Sequence, residues 1–213
     1  NGSTWDNATT DNSTTNNLTG VTFGNNTFVG VGWSGNIVRS TDNGSTWDNA
    51  TTDNSTTNNL YGVTFGNNTF VGVGLSGNIV RSTDNGSTWD NATSPTGKIL
   101  RGVTFGNNTF VGVGNNGNIV RSTDNGSSFD NVTNSNANHL SGVTFGNNTF
   151  VGVGGNGNIV RSTDNGSTWD NATNSNANHL LGVTFANNTF VGVGYNGTIL
   201  NSTDGTSWDN RTS

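Results

Sequence analysis

Apolar and polar positions along the chain fall into blocks that recur about every 40 residues. The block Gly-Val-Thr-Phe-Gly-Asn-Asn-Thr-Phe-Val-Gly-Val-Gly begins at residues 20, 62, 102 and 142, and a copy with Ala186 for its second glycine begins at residue 182. A second block, Ser-Thr-Asp-Asn-Gly-Ser-Thr-Trp, recurs between these copies, with altered forms at residues 122 and 202. Self-similarity at a fixed period indicates a repeat architecture. The chain therefore contains five complete units of 40 to 42 residues.

Turn signals divide each unit into four short apolar or β-branched runs. In the second unit these runs cover residues 60–65, 69–73, 78–83 and 88–93. The Asn-Gly pair at 85–86 favours a tight hairpin, because both residues tolerate positive φ. No stretch shows the periodicity of a helix. Each unit is therefore predicted to be a sheet of four antiparallel strands.

Four short strands per 40 residues are typical of a propeller blade. The second and third predicted strands carry apolar or small residues on both faces, as expected for a sheet held between two neighbours. Glycines at alternate positions would let adjacent blades approach closely near the axis. We predict an all-β protein with one domain over residues 1–213, a five-bladed β-propeller of four-stranded antiparallel blades. A β-solenoid is the alternative, although its coils are usually shorter.

The amino terminus carries one surplus strand. Residues 1–17 contain a further copy of a fourth strand, and residues 207–212 offer another at the far end. Either copy could complete the last blade and so join the ends of the ring. A strand left over at an edge could pair between chains. We therefore expect a monomer or a weak dimer formed through this edge.

Composition supports a packed, turn-rich fold and excludes several functional classes. Hydrophobic residues make up 28% of the chain, but 11 Phe, 6 Trp and 2 Tyr can fill a core, and a net charge of −6 is modest for a disordered chain. A pI near 4.4 argues against a nucleic-acid partner. The lack of Cys excludes disulfides and thiolate metal sites. No apolar run reaches transmembrane length, so we expect no membrane partner, and no motif points to a cofactor.

The second block resembles the Asp-box, or BNR, repeat of sialidases and other propellers. The first copy matches it at Ser40, Asp42, Gly44, Thr46 and Trp47, and the third copy departs from it at Ser128 and Phe129. The resemblance implies a propeller with the box on the hairpin between the third and fourth strands of each blade. It implies no activity, because such boxes lie away from the catalytic face of sialidases.

The residues of the box also make sense as structure. An Asp carboxylate can accept hydrogen bonds from the turn, Gly can supply a left-handed position, and Trp can pack between blades. Reading Asp42 and Asp48 as a calcium loop is weaker, because the spacing and closing Glu of an EF-hand are absent. No metal site is therefore predicted.

Catalytic groups are also scarce. The sialidase chemistry implied by the resemblance needs converging arginines and a Tyr nucleophile with a Glu partner, and this chain has no Glu. The same strand position of four units holds an arginine, namely Arg39, Arg81, Arg121 and Arg161. This repetition spreads the arginines around a ring and does not bring them into one cleft. We expect each to pair with an Asp of the next blade. His139 and His179 occupy matching positions and indicate a duplicated loop, with a metal or catalytic role as the alternative. We expect no enzymatic activity.

Two positions change in every unit while the framework stays almost constant. One precedes the first strand (Thr19, Tyr61, Arg101, Ser141, Leu181), and the other lies between the second and third strands (Trp33, Leu75, Asn115, Gly155, Tyr195). Both connections of a blade emerge on one face of a propeller, and binding residues concentrate on loops held by a rigid scaffold. The predicted ligand-binding residues are Trp33, Tyr61, Leu75, Arg101, Asn115 and Tyr195.

The sequence thus predicts a lectin-like module that binds carbohydrate, or a protein, on a variable face. Trp, Tyr and Arg are the residue types enriched at binding hot spots. Neutral drift after recent duplication is an alternative source of the variation. Drift would be expected equally at the opposite turns, such as residues 66–68, which stay nearly fixed. The competing functional hypothesis is a designed or freshly amplified symmetric propeller, of recombinant or bacterial origin, with no evolved ligand.

Overall fold

A computed structural model describes residues 9–10, 16–52, 57–132 and 138–211 of the protein. These ranges form five sheets of four or five strands, and their helices are single 3₁₀ turns. Within the same ranges, no helix has the length and apolar character needed to cross a membrane. The protein is a five-bladed β-propeller, as predicted.

The strands follow the repeat. β1 (Thr9–Thr10) precedes blade 1, which consists of β2 (Leu18–Gly24), β3 (Thr27–Gly32), β4 (Ile37–Ser40) and β5 (Thr46–Asn49). After β6 (Thr51–Thr52), blade 2 consists of β7 (Leu60–Gly66), β8 (Thr69–Gly74), β9 (Ile79–Ser82) and β10 (Thr88–Asn91). Blade 3 consists of β11 (Leu100–Gly106), β12 (Thr109–Gly114), β13 (Ile119–Ser122) and β14 (Asp130–Val132).

The last two blades repeat this order. Blade 4 consists of β15 (Leu140–Gly146), β16 (Thr149–Gly154), β17 (Ile159–Ser162) and β18 (Asp170–Asn171). After β19 (Thr173–Asn174), blade 5 consists of β20 (Leu180–Ala186), β21 (Thr189–Gly194), β22 (Ile199–Ser202) and β23 (Ser207–Arg211). Consecutive strands of every blade pair antiparallel, so each blade is an up-and-down meander.

Three sheets gain a fifth strand that pairs parallel, whereas the sequence predicted only one surplus strand, in residues 1–17, and placed it in the last blade. β1, β6 and β19 pair parallel with the outer strands of blades 1, 2 and 5, respectively. Thr93 makes a shorter parallel bridge to Ser128 at the same place in blade 3. The chain leaving one blade thus runs along the outer edge of the next. Thr9–Thr10 of the surplus segment covers blade 1, and blade 5 takes its outer strand from Ser207–Arg211; the rest of residues 1–15 lies outside the described ranges.

The core is divided among four interfaces between consecutive blades. We call the side of a blade that meets the next blade its outgoing face; in blade 1 it presents Val29, Val31 and Ile37. The opposite side is the incoming face, and in blade 2 it presents Leu60, Phe70, Val80 and Trp89. The remaining interfaces repeat this pairing, with Phe129 replacing Trp in blade 3. The residues predicted on both faces of the middle strands are therefore core residues.

Glycine sets the distance between blades. A Cβ atom placed on Gly62 would lie 3.4 Å from the Cα of Gly102, so the first strands of neighbouring blades approach backbone to backbone. A Cβ on Gly66 would lie 2.0 Å from the Phe105 ring of the next blade. The prediction that glycine permits close approach of the blades is confirmed.

The Ser-Thr-Asp-Asn-Gly turn connects the third and fourth strands and is held by the Asp side chain. In blade 1, Asp42 Oδ1 accepts the Thr46 N–H at 2.9 Å and Asp42 Oδ2 accepts the Thr46 hydroxyl at 2.7 Å. These bonds, led by that of the Thr46 N–H, lower the pKa of Asp42 from 3.8 to about 2. Asn43 and Gly44 both have positive φ, at 61° and 85°. The turn therefore has a structural role, as its residues predicted.

Three of the four repeated arginines donate hydrogen bonds to the turn of the next blade, and the acceptors of these bonds are not Asp carboxylates. Arg39 Nη1 donates to Ser87 Oγ at 2.5 Å in the turn of blade 2. Arg121 Nε donates to the carbonyl of Asn165 at 2.7 Å, and Arg161 Nη1 to the carbonyl of Asp204 at 3.3 Å. The expected partner element was correct and the expected acceptor was wrong, because the Asp carboxylates are already engaged by their own turns.

Blade 5 and blade 1 do not pack against each other in this way. A Cβ placed on Gly182 would meet only Val193 of its own blade, and one placed on Gly44 would meet nothing within 4 Å. Leu18 is 51% exposed, whereas its four equivalents in blades 2 to 5 are fully buried. In the described part of the chain, the incoming face of blade 1 and the outgoing face of blade 5 are thus unpartnered.

Candidate functional site

Both variable positions lie at one end of the propeller. The residue that opens each turn between the second and third strands donates its N–H to the carbonyl just before the first strand of the same blade. In blade 1 this bond runs from Trp33 to Asn17 at 2.9 Å, and it recurs in the other four blades. Each of these turns in blades 1 to 4 also contacts the first strand of the next blade. The two variable segments therefore form one surface, which we call the variable face.

A β-bulge explains why one variable position can change. In each first strand the register of pairing shifts at this position; in blade 3, Leu100 pairs with Gly114 and Gly102 pairs with Val113, which leaves Arg101 unpaired. A bulge residue is outside the regular ladder, and its side chain is redirected. The strand can therefore present Thr, Tyr, Arg, Ser or Leu here without altering its neighbours.

Side chains of four blades converge on a cavity of about 420 Å³ at the variable face. Its lining consists of Tyr61, Arg101, His139, Ser141, His179, Leu181 and Tyr195. Tyr61, Arg101, Ser141 and Leu181 are the bulge residues of blades 2 to 5. The structure thus brings together three of the six predicted site residues, namely Tyr61, Arg101 and Tyr195.

Two histidines form the centre of this cavity. His139 Nε2 and His179 Nε2 lie 3.1 Å apart, and Ser141 Oγ lies 3.1 Å from His179 Nε2. The ring of Tyr195 stacks on His179 with a centroid distance of 5.0 Å. In this contact one imidazole donates and the other accepts. Burial, His179 and Arg101 all lower the pKa of His139, in that order of size.

Arg101 gives the cavity a positive charge. Its Nε donates to Asn115 Oδ1 at 2.8 Å, which orients the guanidinium. Asn115, another predicted site residue, therefore contacts the lining without being part of it. No carboxylate belongs to the described lining of this cavity. The site combines aromatic surface, imidazole and hydroxyl groups with one cation.

Two predicted site residues lie outside the cavity. Trp33 is 46% exposed and belongs to a turn that contacts the first strand of blade 2. Leu75 occupies the same position in blade 2 and is half-buried. Both lie on the variable face, which the sequence predicted, but neither lines the cavity around the histidine pair.

The histidines were interpreted from the sequence as a duplicated loop and not as site residues. Their position holds Asn17, Asn59, Ile99, His139 and His179 in the five units, so it is a third variable position. Its backbone carbonyl has the fixed role of accepting a hydrogen bond, while its side chain is free to change. Gly155 belongs to the same arrangement, because a Cβ there would lie 2.8 Å from the His139 ring. Variation at this position was the signal that could have revealed the pair.

The constancy of the opposite turns has a structural cause. Asn67 and Asn68 both have positive φ, at 47° and 56°, which few residues other than Asn and Gly tolerate. Asn67 Nδ2 also donates to Asn125 Oδ1 of the next blade at 3.2 Å. The premise that drift is equally permitted at these turns was wrong. The contrast between the two ends therefore no longer argues against drift.

The described residues contain no group of three or more His or Asp side chains placed to hold a metal ion. The contacts observed at the pair His139–His179 are a hydrogen bond between the two rings and the stacking of Tyr195 on His179.

No family model and no curated protein sequence matches the chain. Solved structures of similar fold include YCF48 bound to a D1 peptide, with a TM-score of 0.74 and 19% identity over 98% of this chain and 71% of that one. YCF48 from Cyanidioschyzon merolae gives a TM-score of 0.69 and 17% identity over 92% of this chain and 72% of that one. The computationally designed Ika8 protein gives a TM-score of 0.70 and 15% identity over 91% of this chain and 60% of that one. These similarities show a repeat β-propeller fold.

Proposed function

We propose that the protein is a non-enzymatic binding module that takes a carbohydrate in the cavity of the variable face. One observation carries the proposal: side chains that break the repeat in four different blades converge on one concave site. A scaffold that needs only to fold has no use for this convergence. The Asp-box turns, which the resemblance to BNR repeats suggested, serve the scaffold in this proposal and do not contact the ligand.

The chemistry of the lining suits an acidic sugar. The ring of Tyr195, supported by His179 at 5.0 Å, offers a flat surface on which the apolar face of a pyranose can stack. Tyr61, Ser141 and the imidazoles can exchange hydrogen bonds with sugar hydroxyls. Arg101, with no acidic group in the described lining, favours a carboxylate-bearing sugar over a neutral one.

A glycan array followed by titration calorimetry tests this function. We expect the wild type to bind uronic-acid glycans, and Tyr195→Ala and Arg101→Gln to weaken binding roughly tenfold, because an aromatic contact and a charged hydrogen bond each contribute about 1 kcal/mol or more. Trp33→Ala is the matched control, since it removes an exposed aromatic of the same face outside the cavity. Binding that is lost in Trp33→Ala and kept in Tyr195→Ala would place the site elsewhere on this face.

A peptide ligand in the same cavity is the second candidate. It is favoured by the similarity in fold to YCF48, whose structure contains a bound D1 peptide. A library of short peptides, screened with the same three variants, separates this candidate from the first. If neither glycans nor peptides bind, the remaining hypothesis is a symmetric scaffold without an evolved ligand, which is consistent with the similarity to the designed Ika8 protein.

A further inference from the structure

The two ends of the blade array carry complementary apolar faces. Four times within the chain, an outgoing face packs on an incoming face. Among the described residues, this arrangement leaves one face of each type without a facing blade, namely the incoming face of blade 1 and the outgoing face of blade 5. Leu18 and Phe23 are each 51% exposed on blade 1, and Val193 is 46% exposed on blade 5. Apolar surface of this kind is unfavourable in water and marks interaction sites.

We propose that the outgoing face of blade 5 binds the incoming face of blade 1 in a second copy of the chain. The internal interfaces define the register of this contact. Val151 of blade 4 packs against the turn of blade 5, 3.1 Å from where a Cβ on Gly205 would lie. Val191 would pack in the same manner on Gly44 of the second copy, where that space is empty. Leu18, Phe28 and Trp47 of the second copy would complete the interface.

This contact is head-to-tail, so each copy in a complex still carries one free face. Such heterologous contacts add further copies until a ring closes. Association through the edge strands, which the sequence suggested, would use backbone hydrogen bonds instead. Thr9–Thr10 and Ser207–Arg211 already pair within their own blades. β1 is still the outermost strand of its sheet, but pairing through that edge would leave the apolar side-chain faces in water, whereas packing the two faces together covers both.

Ala186 makes the new interface weaker than the internal ones. In blades 1 to 4 its position is glycine, and a Cβ on Gly146 would lie 2.1 Å from the ring of Phe185 in the next blade. The methyl group of Ala186 would meet Phe23 of the second copy in the same way. The contact can form only if the Phe23 ring and the two blades shift apart, which costs packing.

Asn201 removes a polar contact from the same interface. In blades 1, 3 and 4 its position is an arginine that donates to the turn of the next blade, as Arg121 does to the Asn165 carbonyl at 2.7 Å. Asn201 instead accepts a hydrogen bond from Arg211 Nε at 2.8 Å within blade 5. Both substitutions fall on the outgoing face of blade 5, and both oppose indefinite growth. The association is therefore weak and reversible.

Sedimentation velocity over a range of concentrations tests the proposal with the full chain. We expect the wild type to associate as concentration rises, and Ala186→Gly/Asn201→Arg to associate at least tenfold more tightly. Leu18→Asp and Val193→Asp each place a charge on one free face and should remain monomeric. Asn91→Asp is the matched control, because it adds the same charge on the exposed outer strand of blade 2 and should behave as the wild type does.

Mixing the two monomeric variants gives the sharpest result. Leu18→Asp keeps an intact blade 5 face and Val193→Asp keeps an intact blade 1 face, so the mixture should form a dimer and nothing larger. A mixture that stays monomeric, or a wild type that is monomeric at every concentration, overturns the proposal. So does association that survives either charge. Both substituted residues are exposed, so the variants should fold, and circular dichroism of each variant checks this.

Discussion

At the scale of single residues, some positions of the repeat are constant because a single added atom would disrupt the packing between blades. A Cβ on Gly106 would lie 2.1 Å from the Phe145 ring, so only glycine fits at this point of the interface between blades 3 and 4. The equivalent residue of blade 5 is Ala186, which is exposed and meets no following blade among the described residues. The same position is thus constrained inside the array and free at its end.

The pair Gly106→Ala and Ala186→Gly tests this difference. Gly106→Ala should lower the free energy of unfolding by about 1–3 kcal/mol or more, because the added methyl group overpacks the interface. Ala186→Gly should change it by less than about 1 kcal/mol, the cost of a glycine in a strand. Urea denaturation of both variants measures the two effects. Equal losses would show that backbone flexibility, and not the Phe145 ring, explains the glycine.

At the scale of the element, a single Asp side chain holds the hairpin turn between the third and fourth strands of a blade through its hydrogen bonds to the turn. The pKa of Asp164 is lowered from 3.8 to about 2, chiefly by the hydroxyl and the N–H of Thr168. The pKa of Asp42 is lowered to the same value. A carboxyl group whose folded pKa is depressed stabilises the protein above its unfolded pKa and loses that contribution as the pH falls through the folded pKa.

The protein should therefore lose stability in acid. The urea midpoint is expected to decline slightly below about pH 6.5, because the lowered pKa of His139 means that the unfolded chain takes up this proton first. It should fall more steeply between about pH 4 and 2, as the turn carboxylates become protonated. Asp42→Asn, which cannot titrate, should have a lower midpoint at pH 7 and a shallower fall in acid. A midpoint that is independent of pH between 4 and 2 would contradict the assignment of these pKa shifts to the folded turns.

At the scale of the whole molecule, stability is a sum over interfaces between neighbouring blades. Interior blades are buried on both faces, while blades 1 and 5 are each buried on one. Leu100 is fully buried between blades 2 and 3, whereas its equivalent Leu18 is 51% exposed on the free face of blade 1. The same side chain in the same repeat thus has two different environments.

Truncating this leucine should have very different effects at the two places. Leu100→Ala is expected to cost about 2–5 kcal/mol, as is typical for a buried leucine, and Leu18→Ala less than about 1 kcal/mol because the side chain is already half in water. Differential scanning calorimetry of dilute protein measures both and keeps self-association out of the comparison. Similar losses would mean that the free face of blade 1 is covered in solution by its own chain.

The sequence alone determined the fold and the variable face. Strands, turns and blade number follow from period and turn chemistry, because a 40-residue unit with two Asn-Gly or Asn-Asn turns has few ways to fold. Residues that break an otherwise constant repeat were visible as candidates for function. Tyr61, Arg101 and Tyr195 were found in this way.

The tertiary structure decided which of these candidates meet. Convergence depends on the angle between blades and on the bulge that redirects residues such as Arg101, and neither is encoded in local periodicity. For that reason His139 and His179, 40 residues apart in the chain, face each other at 3.1 Å, while Trp33 lies outside the cavity. The free faces of blades 1 and 5 follow from the same angle, since it decides whether the ends of the array meet.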